Sequence, residues 1–497
     1  MTLMSDESGS GLRRVAWHVV LRVCVQASLA VRGVALMSII TRAFGADGYG
    51  IWSQAMLTAS LLMPLVTFNL SASVVRFIGA ETDSERRASQ LAAVVLIVAV
   101  GGIVVFALGC SVAGGVSRLM FGTSDYSWVV FAFLFMFLVR GVYAVALAGL
   151  QSLSRFALHA VVSTSQIILD IGAVVWIALA SGGSLFASIL GIAGVDALLT
   201  TAMLVALMRA GSLRLPVRWK GMSRFLRYSL PLIPATSLFW VVNSSDRYVI
   251  VHVVGLGDTG AYSAAYQLCR LLALVSQPIV FVLLPLVAGL WENGHRERVR
   301  QILSLARRAF YLAAIPATAG LLLVGPEALR ILGASHVTVA FPVLALLILG
   351  GLLVGLYSIE VLVIYLHEET WLLAAILGLL AAFNLGANLL LVPRIGMLGA
   401  AASTAVTYAL QWVVVRVLAQ RRLPIPIGLS TLWRAMAATA IMAFSVWAIP
   451  LPSGALAVLA KTGVGLVAYS LTLVVLRGVP IAELRDALGL TRPRQRW

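Results

Sequence analysis

Ionisable side chains stand inside several long apolar runs of this chain, where a charge is costly and usually marks a pathway. Asp246, Arg247 and Arg270 lie in two neighbouring apolar segments, and Arg22 and Arg32 fall on one face of the first segment. The guanidinium group stays charged under all conditions, and its planar fork matches the oxygens of phosphate. Because arginines outnumber acids among these residues, the pattern predicts an anionic ligand.

Each of these charges also has a structural explanation that the sequence leaves open. Arg22 and Arg32 can extend their charged ends to the membrane surface. Arg140 and Asp170, on the fourth and fifth segments, can form an interhelical ion pair. Asp246 and Arg247 lie about 100° apart on a helix, so they should not satisfy each other fully, and a bridge to another helix is an alternative.

Two further acids, Asp196 and Glu360, lie in apolar segments without an assigned role. Glu360 falls about two turns from the end of its segment, so we expect it to reach water.

The composition places these residues in a membrane protein. The 497-residue chain is 61% hydrophobic, has a mean hydropathy of +1.00 and is only 11% charged, against about 25% in a soluble domain. The net charge of +17 lies mainly in short loops, which indicates membrane topology and argues against a nucleic-acid partner. The three cysteines have unrelated spacings and predict neither a disulfide framework nor a metal site.

Span length and repeats predict the architecture. With about 20 apolar residues per span, the chain is an all-α polytopic protein of about 14 transmembrane helices. The motif GADGYGIWS at 45–53 returns as GLGDTGAYS at 255–263, a period of about 210 residues. We therefore predict two six-helix bundles related by a pseudo-two-fold axis, followed by two extra helices.

The predicted divisions are a cytoplasmic N-terminal segment 1–14, an N-terminal six-helix bundle 15–208, a basic cytoplasmic linker 209–227, a C-terminal six-helix bundle 228–420, transmembrane helices 13 and 14 within 421–476, and a basic cytoplasmic tail 477–497. The basic loops collect on one side of the membrane, which predicts that both termini are cytoplasmic. The opposite side keeps few arginines.

These residues carry a family resemblance over about 15–422. The glycine turns (GYGIWS and TGAYSAAY), the LP and DR elements within 228–247 and the 14-span plan resemble bacterial polysaccharide flippases. These are the Wzx-type exporters of lipid-linked oligosaccharide in the multidrug/oligosaccharidyl-lipid/polysaccharide superfamily. Each motif is loose by itself, and the order and spacing make the case.

The resemblance implies a flippase that moves polyprenyl-diphosphate-linked oligosaccharide repeat units to the outer leaflet of the bacterial inner membrane, for O-antigen or exopolysaccharide synthesis. It implies alternating access through a cationic cavity, no cofactor, and a polysaccharide polymerase and other assembly proteins as partners. The substrate-binding arginines would be Arg22, Arg32, Arg140, Arg247 and Arg270. Asp170 and Asp246 are the candidates for coupling to a proton or sodium ion.

Two other functions fit the hydropathy. A membrane glycan polymerase or ligase would use the same lipid-linked donors, but such enzymes commonly have a large outer loop, and the outer loops here are short. The sequence also lacks a metal-ligand cluster, a nucleotide-binding glycine loop and a nucleophile constellation. A multidrug exporter of the same superfamily would favour buried acids over arginines and would usually end after about 12 spans.

Overall fold

The computed structural model describes residues 5–180, 184–214, 217, 219, 221–333, 337–449 and 454–476, with side chains from Ser28 onward except those of Ala180 and Ala235. Within these ranges the regular structure is helical. The helices of the first part are α1 (Ser5–Val66), α2 (Leu70–Ser73), a π-helical turn (Val74–Ile78), α3 (Ser84–Ser111), α4 (Ala113–Phe121), α5 (Ser127–Ser152), α6 (Phe156–Ala180), α7 (Leu185–Arg209), α8 (Met222–Ser229) and α9 (Leu232–Val253).

The second part begins with α10 (Leu256–Cys269), which continues through a 3₁₀ turn (Arg270–Leu272) into α11 (Ala273–Glu292). The remaining helices are α12 (Arg296–Leu332), α13 (Phe341–Leu366), α14 (Thr370–Ile395), α15 (Met397–Arg422), α16 (Leu429–Trp447) and α17 (Ala455–Val475).

Thirteen helical segments of the described chain are long and apolar enough to cross a membrane. The first of them, Ser28–Val66, includes parts of both the first predicted span (15–40) and the second (52–75), because α1 continues across a kink at Gly45. Large apolar side chains such as Trp176, Trp371 and Leu456 are 73%, 83% and 83% exposed, which suits contact with lipid. The predicted class, an all-α multi-pass membrane protein, is confirmed.

The helices group into two compact units. Unit 1 comprises the residues up to Ser263 together with Asn388–Gly396, and unit 2 comprises Ala264–Ala387 and the residues from Met397 onward. Helix α9 belongs to unit 1, where Trp240 donates a 2.9 Å hydrogen bond to the Leu57 carbonyl of α1. The bundle boundaries at 15–208 and 228–420 rest on the sequence repeat and stay a prediction.

The two repeated glycine turns meet inside unit 1. Gly45 and Gly255 both have positive φ, +73° and +132°, a conformation that glycine adopts at little cost. Five residues later, a Cβ added to Gly50 would lie 2.2 Å from the Leu256 carbonyl oxygen, and one added to Gly260 would lie 2.1 Å from the Ala46 carbonyl oxygen. Each glycine therefore lets its helix touch the start of the other turn, and the contact has the symmetry of the sequence repeat.

The close approach predicts that Gly50→Ala and Gly260→Ala each destabilise the protein by about 1–3 kcal/mol, the usual range for overpacking. The clash is with backbone atoms, so no side chain can rotate to relieve it. Gly172→Ala is the matched control, because nothing lies within 4 Å of its added Cβ. Thermal unfolding of the detergent-purified variants tests this, and equal melting temperatures for Gly50→Ala and Gly172→Ala would contradict it.

Candidate functional site

Four charged side chains from four helices form a buried network in unit 1. One terminal nitrogen of Arg32 (α1) lies 2.6 Å from Asp170 Oδ2 (α6), and one of Arg140 (α5) lies 3.6 Å from the same oxygen. Arg140 Nε also donates to Asp196 Oδ2 (α7) at 2.7 Å, and Gln166 Nε2 donates to Asp196 Oδ1. Both aspartates have 0% exposure. Two positive and two negative charges therefore balance within the membrane-spanning region.

Unit 1 also contains buried polar groups without hydrogen-bond partners among the described residues. Arg32 Nε is buried and makes no hydrogen bond to the described residues. Gln54 of α1 has 0% exposure, and neither its amide nitrogen nor its amide oxygen has a partner among those residues. An unmet buried polar group costs about 1–3 kcal/mol, so these groups favour a polar ligand that satisfies them.

The ion pairs in this network differ in part from the Arg140 to Asp170 pair that the sequence suggested. The Arg140 to Asp170 pair exists, but Arg32 lies closer to Asp170 and Asp196 lies closer to Arg140. Sequence analysis left Asp196 without a role. The rule that a buried acid requires a cationic or hydrogen-bonding partner was the available signal, although it does not say which arginine that partner is.

A second buried charge pair, Asp246 with Arg247, lies on α9 and contacts α10. Tyr262 donates its hydroxyl proton to Asp246 Oδ2 at 2.7 Å, and the Arg247 backbone N–H donates to Asp246 Oδ1 at 2.9 Å. The Arg247 guanidinium lies 3.5 Å from Asp246 Oδ1 and donates to the Asn243 carbonyl at 2.8 Å. Asp246 thus bridges to Tyr262 of the next helix, as the structural alternative expected.

The remaining predicted site residues lie elsewhere. Arg270 is the exposed first residue of the 3₁₀ turn in unit 2. The side chain of Arg22 lies outside the described residues. The structure therefore brings Arg32, Arg140 and Asp170 together in one network and places Arg247 beside Asp246. The roles assigned to all of these residues in substrate binding and ion coupling stay predictions.

Unit 2 contains a buried charge cluster that sequence analysis missed. Arg307 of α12 is 1% exposed and lies 2.7 Å from Glu360 of α13, while Arg416 of α15 lies 3.3 Å from the same carboxylate. Arg307 and Arg416 also donate to the carbonyl of Ile425, at 3.3 and 3.1 Å. The expectation that Glu360 reaches water is wrong, since it is 2% exposed.

Fold and site together define a multi-pass helical membrane protein with charge networks buried among its spans. Residues 24–291, more than half of the chain, match the family described as polysaccharide biosynthesis protein. The chain therefore belongs to the polysaccharide biosynthesis protein family, and the family resemblance drawn from sequence is confirmed.

The chain is similar to proteins of related description. It is 25% identical to the "probable low-salt glycan biosynthesis flippase Agl15" of Haloferax volcanii over 186 residues, which is 36% of this chain and 39% of that protein. The chain thus aligns with less than half of that relative.

Among solved structures, the lipid II flippase MurJ in an inward closed conformation matches 92% of this chain and 99% of its own, with a TM-score of 0.74 and 13% identity. An inward-facing multidrug resistance MATE family transporter matches 82% of this chain and 98% of its own, with a TM-score of 0.62 and 11% identity. These similarities establish the fold.

The geometry predicts that Asp196→Asn lowers the free energy of unfolding by about 3–5 kcal/mol, because it leaves the buried charge of Arg140 poorly compensated. Glu297→Gln is the matched control. It removes the acid of a pair of similar length, Arg300 to Glu297 at 2.8 Å, that is solvent-exposed and worth under about 1 kcal/mol. Thermal unfolding in detergent measures both changes, and similar losses in the two variants would refute the buried network.

Proposed function

We propose that this protein is a flippase that moves polyprenyl-diphosphate-linked oligosaccharide repeat units from the cytoplasmic to the outer leaflet of the inner membrane, for O-antigen or exopolysaccharide synthesis. Family membership, the MurJ-like fold and the description of the Haloferax relative as a glycan flippase support this substrate class. A carrier needs no catalytic residues, so we propose that the protein is not an enzyme.

The observation that carries the proposal is the buried network of Arg32, Arg140, Asp170 and Asp196. Its arginines are held by carboxylates, which are the protein groups that most resemble a phosphate in charge and geometry. A diphosphate can therefore replace Asp170 as the partner of Arg32 without a large change in arginine position. The buried Nε of Arg32, which has no acceptor among the described residues, gives the incoming oxygen a further donor.

This exchange also gives Asp170 a role in the cycle. When the diphosphate takes its arginine, the buried carboxylate loses its closest countercharge and takes up a proton from water. Asp170 returns this proton to water as the substrate departs, and the ion pair with Arg32 forms again. Asp246, held by Tyr262 and the Arg247 backbone, is the second coupling candidate.

The membrane potential favours the direction of transport. A diphosphate diester carries about two negative charges, and an inside-negative potential of about 100 mV favours its outward movement by roughly 2.3 kcal/mol for each charge that crosses the full field. The arginines then offset part of the cost of removing the diphosphate from water. Arg22, Arg247 and Arg270 complete the proposed cationic cavity.

The proposed organisation follows the sequence repeat. The bundles 15–208 and 228–420 alternate access to the cavity. The two transmembrane helices predicted within 421–476 lie outside the repeat, and both termini are cytoplasmic. Polysaccharide polymerase and other assembly proteins are the proposed partners. Multidrug export is the second candidate, because the MATE transporters share the fold.

We expect cells lacking the protein to retain full-size single repeat units on the cytoplasmic face. Spheroplasts treated with a membrane-impermeant glycosidase would measure this, because trapped glycan stays protected. Single units accumulating on the outer face would instead indicate a lost polymerisation or ligation step. Normal distribution of glycan with increased drug sensitivity would favour the exporter.

In the same assay, Arg32→Ala should reduce export about tenfold or more, because a charged hydrogen bond contributes about 1.5–3 kcal/mol. Both Arg32→Ala and Arg32→Lys should insert normally in the membrane, and Arg32→Lys should restore only part of the export, since lysine lacks the bidentate fork. Arg300→Ala, at an exposed pair, is the control and should export normally. Full export by Arg32→Ala would overturn the cationic-cavity proposal.

The coupling role predicts that Asp170→Asn makes transport insensitive to the proton gradient, because asparagine cannot bind and release a proton. Initial rates in proteoliposomes, measured with and without an imposed pH difference, test this. The wild type should respond to the gradient and the variant should not. An Asp170→Asn variant whose transport rate responds to the pH difference as strongly as that of the wild type would exclude Asp170 as the coupling group.

A further inference from the structure

Two arginines at one end of unit 1 are stacked on aromatic rings. Arg224 Cζ lies 4.3 Å from the ring centre of Phe77, and Arg76 Cζ lies 4.5 Å from that of Tyr228. The rings of Phe77 and Tyr228 are themselves in edge contact at 5.4 Å. We call these four residues the arginine–aromatic cluster. It brings together residues about 150 positions apart in sequence.

Two unusual elements hold this cluster. Arg76 and Phe77 lie in the π-helical turn Val74–Ile78, and such turns are rare and frequent at functional sites. Arg224 and Tyr228 lie on the short helix α8, which buries Phe225 at 2% exposure and presents its arginines to the surroundings.

Ser73 Oγ donates a 2.9 Å hydrogen bond to the Phe225 carbonyl, which links α8 to the last residue of α2, immediately before the π-helical turn. Both arginines therefore project from ordered backbone.

The two arginines of the cluster, Arg76 and Arg224, have no acidic group within ion-pairing distance in the part of the chain that the structure describes. The neighbouring exposed arginines differ, since Arg86 pairs with Asp83 at 3.3 Å and Arg214 pairs with Glu85 at 3.5 Å.

Stacking on a ring covers the face of a guanidinium group and leaves its N–H edge available. Two such edges, exposed to the surroundings, suit an oxyanion that accepts several hydrogen bonds.

The position of the cluster indicates where that anion comes from. Helix α8 leads directly into the membrane-spanning α9, and the π-helical turn lies between the spans of α1 and α3. The cluster therefore lies at the ends of membrane spans, the level at which lipid head groups lie.

We propose that the arginine–aromatic cluster binds the phosphate of a membrane lipid. The assignment of the cluster to the cytoplasmic side, where it would collect the diphosphate of the substrate before entry to the cavity, rests on the proposed function. The binding of a phosphate group by the cluster does not depend on that function.

Native mass spectrometry of the full-length protein in detergent tests the proposal. The probes are a polyprenyl diphosphate, phosphatidylglycerol and a diacylglycerol that lacks phosphate. Arg76→Gln combined with Arg224→Gln should weaken phosphate-lipid binding about tenfold or more, with no effect on diacylglycerol.

Arg86→Gln combined with Arg214→Gln removes the same charge from the acid-paired arginines and should change binding less than about twofold. Phe77→Leu keeps every charge but removes a stacking ring, and should give an intermediate loss.

The two phosphate lipids separate the possible sources. Weaker binding of polyprenyl diphosphate by the cluster variant identifies the cluster as a substrate site. Weaker binding of phosphatidylglycerol alone identifies it as a site for bilayer phospholipid. Both results support phosphate binding. Unchanged binding in the cluster variant, or an equal loss in the acid-paired control, overturns the proposal. Because no translocation is measured, failure of this test leaves the flippase proposal intact, and failure of the sidedness assay leaves this site intact.

Discussion

The cost of placing a charge in a low-dielectric membrane interior governs this protein. In unit 1 the cost is met by a balanced set of two arginines and two aspartates from four helices, so each helix depends on the other three. In unit 2 one glutamate is shared by two arginines that also bond to a backbone carbonyl. The buried charges thus link the helices within each unit, and in unit 1 they include arginines that we propose bind the anionic substrate.

Under the proposed function, the pairing of Arg32 with Asp170 would let the protein bind an anion and still release it. An arginine that starts unpaired would gain strongly from binding a diphosphate and would release it slowly. An arginine that starts paired with Asp170 gains only the difference between two acidic partners, which keeps the exchange close to balanced. The exposed Arg76 and Arg224 differ, because they are stacked on rings and carry no acidic partner among the described residues. The proposed phosphate binding at the membrane surface would therefore not require an acidic partner to be displaced.

Backbone contact is the second constraint on the fold. The glycine turns bring the helices of Gly50 and Gly260 so close that a single methyl group would overlap a carbonyl oxygen. Such a contact has little side-chain entropy to lose and no bulky group to rearrange. The close contact therefore depends on glycine at both positions, whereas the charge networks depend on the pairing of oppositely charged side chains from different helices.

The sequence by itself determined the all-α membrane class, the approximate span count, the family and the importance of the repeated glycine turns. These properties depend on local hydropathy and on the order of motifs, both of which are readable along the chain. It could not determine that Asp196 holds Arg140, that Glu360 is buried with Arg307, or that Arg76 stacks on Tyr228. Those partners are 53 to 152 positions apart. Only the packing of helices decided them, because a buried charge requires a partner but does not specify which helix supplies it.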